Sequence, residues 1–382
     1  AIDAVKDSGA RTVLRYADRR FSAGVVHEAT QTGARTMVLG FPFETIVDAK
    51  NRWNGGDTFL VLTGDFLDRG TDVRKVMDLL MELEKKAPKS GGRVLVLLGN
   101  HEMMNLIGDL RYVTPEIYAT FTDGKSEKRQ EKAYQEFLKT SQREAKKMGL
   151  PKQEDTPAFR LEWMESHPVG YVEYRDALGP KGRYGRWIRK LPAVVMIGDT
   201  VFVHGGIHPN LANYSLDEIN ERIDKERKAF DNWVSFFTDE GILEPYYQVN
   251  EMITALKRRY DWLASSSTSQ GSNGDDWTSS LSAKEQYQVK LMKSFFNMGA
   301  WLSVHPDGPL WFRGYGTWSE EEGTAQLAKV LAAQEAEYVV VGHTIAAEKE
   351  ILRLLGGKVF LIDTIEPSAL EITRDEFLSL IH

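Results

Sequence analysis

The stretch Gly64-Asp65-Phe66-Leu67-Asp68-Arg69-Gly70 decides how this chain is read. It follows a short apolar run, Phe59 to Thr63, and precedes a segment with Val73, Val76, Met77 and Leu80 on one helical face, after which Val94 to Leu98 is apolar again. Strand, helix and strand in that order make a βαβ unit, whose parallel sheet is buried on both faces. The heptapeptide therefore sets two carboxylates and a guanidinium at the carboxyl end of a buried strand, where ligand sites form in open α/β sheets.

The next strand ends in Gly99-Asn100-His101-Glu102, which brings a carboxamide and an imidazole to the same edge. Either ending alone reads as a turn or a helix cap; two in adjacent strands point to a site. Later strands are read at Ala193 to Ile197 and Val201 to His204, joined by a Gly198-Asp199 turn, then at Tyr338 to Val341 and Val359 to Ile362. Two of them end in Val203-His204-Gly205-Gly206 and Val341-Gly342-His343-Thr344. A Gly-His pair is weak by itself, but at strand ends the two imidazoles join Asp65 and Asn100 in an oxygen and nitrogen donor set suited to Mn, Fe or Zn. His27, His167, His208, His305 and His382 read as satisfied or surface histidines.

The remaining chain sets bounds. Its 382 residues leave room for one large domain or two ordinary ones, and 42% hydrophobic with 27% charged residues is a globular balance. No apolar stretch approaches the ~18 residues of a membrane span. A net charge of −7 disfavours nucleic acid as a partner, and the absence of cysteine excludes thiolate ligands and a cysteine nucleophile. The chain opens on Ala1 with no leader pattern, which leaves cytoplasmic, periplasmic and secreted locations open. Two helical insertions are expected, at about 115–190 and 215–305. In the first, residues 125–147 carry eight Lys or Arg and four Glu and read as a solvated helix face. The second contains a Ser265 to Ser280 tract too polar to order itself, expected as a mobile loop. Residues 1–46 read as a small β-rich meander, with strands at Arg11 to Tyr16, Ala23 to Glu28 and Arg35 to Gly40.

The succession GDxxDRG, GNHE, HGG and GH resembles the calcineurin-like metallophosphoesterases, in their phosphoprotein phosphatase branch. Lys50 to Gly56, Arg74 to Asp78, Gly108 to Tyr112 and Gly308 to Gly314 resemble the Shewanella-like phosphatases within it, over about residues 47–382. The resemblance implies an α/β fold of central sheets flanked by helices, and phosphomonoester hydrolysis assisted by two divalent metals. On that basis Asp65, Asn100, His204 and His343 are metal ligands, with Asp65 bridging. Asp68 orients His101, the proton donor to the leaving group, while Arg69, Arg313 and the more distant Arg111 hold the phosphate. The substrate is then a phosphorylated protein or a small phosphomonoester.

One element departs from the family. Its opening Gly-Asp-x-His-Gly strand is missing, for no Asp-x-His occurs in the chain, and Met37 to Gly40 runs into Phe41-Pro42-Phe43-Glu44. Only a short stretch then separates Phe41 from Asp65, tight for a crossover helix and a strand. Residues 1–46 instead resemble the closing β segments of xanthan-lyase-type hydrolases, which makes a chimera an expectation. The alternative to an active phosphatase is a phospholigand-binding scaffold with one metal site incomplete.

Overall fold

The computed structural model describes residues 12–15, 47–48, 52–68, 70–268, 277–345, 351–363, 368–372 and 377–381, with 12–15, 268, 368–372 and 377–381 as backbone alone. Its strands are β1 (Thr12–Arg15), β2 (Phe59–Leu62), β3 (Arg93–Val96), β4 (Val194–Ile197), β5 (Thr200–Val203), β6 (Tyr338–Val341), β7 (Leu352–Leu354), β8 (Val359–Leu361), β9 (Ser368–Ile372) and β10 (Phe377–Ile381). They form two five-stranded sheets, in the orders β10-β9-β1-β2-β3 and β4-β5-β6-β8-β7. In the first, β1, β2 and β3 are parallel; in the second, β5, β6 and β8 are parallel.

Strand alternation explains why two sheets form. Val61, Phe202, Val340 and Phe360 share one apolar layer with Leu97 and Ile362. Their strand neighbours Leu60, Leu62, Val201, Val203, Val339, Val341, Val359 and Leu361 belong to the larger cluster, which includes Val73, Met77 and Leu80 of helix α1 (Val73–Lys86). Since successive side chains of a strand face opposite ways, the first set fills the space between the sheets and the second meets the helices outside. Burying each of these side chains stabilises by about 1.5–3 kcal/mol. Strands buried on both faces look alike in sequence whether helices or a second sheet cover them.

Of residues 1–46, the structure describes Thr12–Arg15. It forms a strand that pairs parallel with β2 and antiparallel with β9. The other two proposed strands, Ala23 to Glu28 and Arg35 to Gly40, lie outside the described residues, as does Glu44.

The insertions are helical. Ser126–Met148 buries Ala133, Tyr134, Leu138 and Ala145 and turns most of its charged residues outward. Helices Leu216–Asp239, Val249–Thr268 and Ala283–Phe296 make up most of the second insertion. The Ser-rich tract begins later than expected, because Ser265 and Ser266 continue the helix and return their hydroxyls to the Trp262 carbonyl at 2.9 and 2.8 Å. Trp277–Ser280 is a 3₁₀ turn, and residues 269–276 of the expected mobile loop lie outside the described ones.

Candidate active site

The ends of β2 and β3 interlock before any ligand is considered. Asp65, Asp68 and His343 all have positive φ, at 57°, 68° and 61°. Such values are uncommon for side-chain-bearing residues and gather at functional sites. A Cβ on Gly64 would lie 2.5 Å from the Gly99 nitrogen, and one on Gly99 would lie 2.4 Å from Asp65 Oδ1, so glycine is required at both for this approach.

Glu102, fully buried at the start of helix α2 (Asn100–Ile107), ties the two ends together. Its Oε2 accepts from the amides of Asp65 and Gly99, each at 2.8 Å, and its Oε1 from those of Phe66 and Leu67, each at 2.9 Å. Burial first, and then the Asp65 charge, raise its carboxyl pKa, and the Asp65 and Leu67 amides offset this only in part. All four amides point at lone pairs, so the ionised form is the one that fits. Reading strand ends for metal ligands missed this role, although the Glu at the third helical position of a cap was visible.

Four buried side chains then converge from both sheets. His204 Nδ1 lies 2.8 Å from the Thr63 carbonyl, which can only accept, so the ring proton sits there and Nε2 keeps its lone pair. That Nε2 is 2.8 Å from Asn100 Oδ1, 3.1 Å from His343 Nδ1 and 3.2 Å from Asp65 Oδ1. Donor atoms of Asp65, His204 and His343 all lie within 4.8 Å of one another. Ligands bonded to a metal at about 2.0–2.1 Å in a tetrahedron stand about 3.3 Å apart, so the donors present fit a divalent transition metal. Thr63 orients His204 from behind, as outer partners of ligating histidines do.

Beside this group, His101 Nδ1 lies 2.6 Å from Asp68 Oδ2, and the other Asp68 oxygen accepts from Asn105 Nδ2 at 3.0 Å. Asn105, one helical turn after His101, is itself held by the Tyr174 hydroxyl. Burial works against the charged imidazole, but the Asp68 hydrogen bond and the charges of Asp65, Asp68 and Glu102 outweigh it and raise its pKa. His101 Nε2 faces the donor cluster, 3.9 Å from Asp65 Oδ2. The Tyr112 ring, 37% exposed, packs 5.1 Å from the His101 ring and forms part of its outer wall. Asn105, Tyr112 and Tyr174 were not singled out in the sequence.

The arginines differ in placement. Arg313 is exposed, and its Nη1 donates to the His343 carbonyl at 2.8 Å, which fixes it on the rim of the cluster. Arg111 is paired in bidentate fashion with Asp109, at 2.8 and 2.7 Å. Arg69 lies outside the described residues. His167 is a satisfied core histidine, stacked on Trp163 and bonded to Glu251 at 3.2 Å. His27 and His382 also lie outside the described residues.

Two helix-covered sheets with an acid, an amide and two imidazoles gathered at their strand ends define a metallophosphoesterase type of domain. The family profile described as calcineurin-like phosphoesterase matches residues 41–346, and the chain belongs to that family. It is 34% identical to Shewanella-like protein phosphatase 2 of Arabidopsis thaliana over 195 residues, covering 48% of this chain and 46% of the relative. It is 21% identical to Shewanella-like protein phosphatase 1 of Plasmodium berghei over 325 residues, 84% of this chain and 60% of the relative. The chain thus spans about half the length of the curated relatives it matches. Its fold is shared with the cold-active protein-tyrosine phosphatase of a psychrophilic Shewanella species, at a TM-score of 0.54 and 19% identity over 97% of this chain and 80% of that one. No helix among the described residues is long and apolar enough to cross a membrane.

Proposed function

We propose that this chain hydrolyses phosphomonoesters, with phosphorylated protein side chains as the substrate class and a divalent transition metal (Mn, Fe or Zn) held by Asp65, Asn100, His204 and His343. The observation that carries this reading is the convergence of those four donors beside an Asp68–His101 pair. A divalent cation at such a site supplies Lewis acidity, lowering the pKa of water and neutralising phosphoryl charge. In the hydrolysis the oxygen of water bonds to phosphorus and the ester P–O bond breaks. The leaving alkoxide or phenoxide takes its proton from His101 Nε2, Asp68 stabilises the imidazolium that gives it, and one proton of the attacking water restores that imidazolium while the other stays on the phosphate product. Arg69 and Arg313 hold phosphoryl oxygens, with bidentate forks suited to that geometry.

The decisive experiment measures metal content and p-nitrophenyl phosphate turnover together. With Mn present the protein turns the ester over, while His204→Ala loses most of its tightly held metal and its activity falls by several orders of magnitude. Unchanged metal content and turnover in that variant would defeat the reading. A binding comparison tests the arginine role separately: Arg69→Ala is expected to weaken phosphate or vanadate binding at least tenfold. Lys132→Ala should change it little, because Lys132 is 75% exposed and already 3.4 Å from Glu136. Equal losses from the two would overturn the ranking.

A further inference from the structure

A pocket of about 280 Å³ has a lining that includes His208, Asn210, Tyr214, Arg222, His305 and Asp307. It is built where the loop after β5 meets the loop before Arg313, which are joined by the Gly205 amide donating to the Pro309 carbonyl at 2.7 Å. Phe312 links the pocket's lining to the site along the chain. Its ring stands edge-on to His208 at 5.2 Å, and the next residue, Arg313, donates to the carbonyl of His343.

The donor chemistry of the pocket is one-sided. His208 Nδ1 accepts from the Asn210 amide and His305 Nδ1 from the Asp307 amide, both at 3.1 Å. An amide can only donate, so each Nδ1 keeps its lone pair and each ring carries its proton on Nε2 as a donor. Arg222 adds a guanidinium that rests against Tyr214, with one nitrogen 3.4 Å from its hydroxyl and the charge 5.7 Å from its ring centre. Among the described residues no carboxylate lies within ion-pair distance of Arg222. The one lining carboxylate, Asp307, sits 3.8 Å from His305 on the Nδ1 side of the ring, away from the Nε2 donor. A metal is a poor occupant, since among the described residues these side chains do not gather closely enough to form a ligand group.

From this arrangement we infer that the pocket is a specificity subsite for an acidic side chain of the phosphorylated substrate, taken up by Arg222, His208 and His305. The inference rests on the proposed phosphatase reading and deepens it. An extended peptide advances about 3.3–3.6 Å per residue, so a Glu a few positions from the phosphorylated residue stands about 10 Å or more from the phosphate, in reach of a neighbouring pocket.

The test uses fluorescent phosphopeptides in which one position at a time, on either side of the phosphorylated residue, is Glu or Gln. Affinities are read by fluorescence anisotropy at two salt concentrations. At one position Glu is expected to bind about fivefold or more tightly than Gln, and less so at high salt. The Glu:Gln affinity ratio should fall towards unity in Arg222→Gln and in His305→Asn. The subsite is overturned if no position favours Glu, if no peptide binds, or if the ratio survives both substitutions. Turnover of p-nitrophenyl phosphate, which has no flanking chain, judges the phosphatase reading alone. An acidic preference without turnover would defeat that reading and leave the subsite standing.

Discussion

Replacing His101 with Asn should lower kcat/KM on alkyl phosphates by about 10²–10⁴, while p-nitrophenyl phosphate loses far less. The difference follows from what the leaving group needs. An alkoxide is too basic to depart without a proton, whereas nitrophenolate leaves almost unaided. The geometry that makes His101 the donor is the 2.6 Å contact of its Nδ1 with Asp68, which leaves Nε2 facing the donor cluster. Asp68→Asn should show the same selective loss in milder form, since the ring remains but the charge that favours imidazolium is gone. Steady-state kinetics on paired alkyl and aryl substrates checks both variants. Equal losses on the two classes would remove His101 from the role of proton donor.

Much of this site could be read before the fold was known, and the reason is geometric. Asp65, Asn100, His204 and His343 each follow an apolar strand within a few residues, and parallel strands deliver their carboxyl ends to one edge. The reading needed only strand ends, which hydrophobic runs mark well. The same rule fails for groups that act from a helix. Asn105 reaches Asp68 only because it lies one turn beyond His101, and its orienting hydroxyl comes from Tyr174, far along the chain. Which neighbour each strand residue faces was equally hidden. Phe202 and Val203 are both fully apolar, yet one faces the other sheet and the other faces the helices. The place of β1 was obscured for another reason: its pairing with β2 spans residues 16–58 of intervening chain, and no local pattern specifies a partner that distant.

Glu102→Gln tests whether the two strand ends depend on the buried carboxylate, and it is expected to damage stability and activity together. The substitution preserves size and removes one oxygen. Whichever way the new amide turns, its NH₂ must face two backbone N–H groups, those of Asp65 and Gly99 or those of Phe66 and Leu67. Two buried donors are then left without an acceptor, at about 1–3 kcal/mol each, against a typical total stability of about 5–15 kcal/mol. The loop can escape that cost only by moving, and its movement displaces Asp65, whose Oδ1 also accepts from the His101 amide at 3.2 Å. Since a misplacement of about 1 Å can cost about 10²-fold in rate, kcat should fall by that order or more even where the protein stays folded. Glu84→Gln is the control, because Glu84 is only partly buried and accepts from a single indole N–H, Trp187 Nε1 at 2.7 Å, which an amide oxygen can still serve. Thermal denaturation and turnover measured on both variants decide the matter: a Glu102→Gln protein as stable and active as Glu84→Gln would mean that the four amides do not rely on the charge.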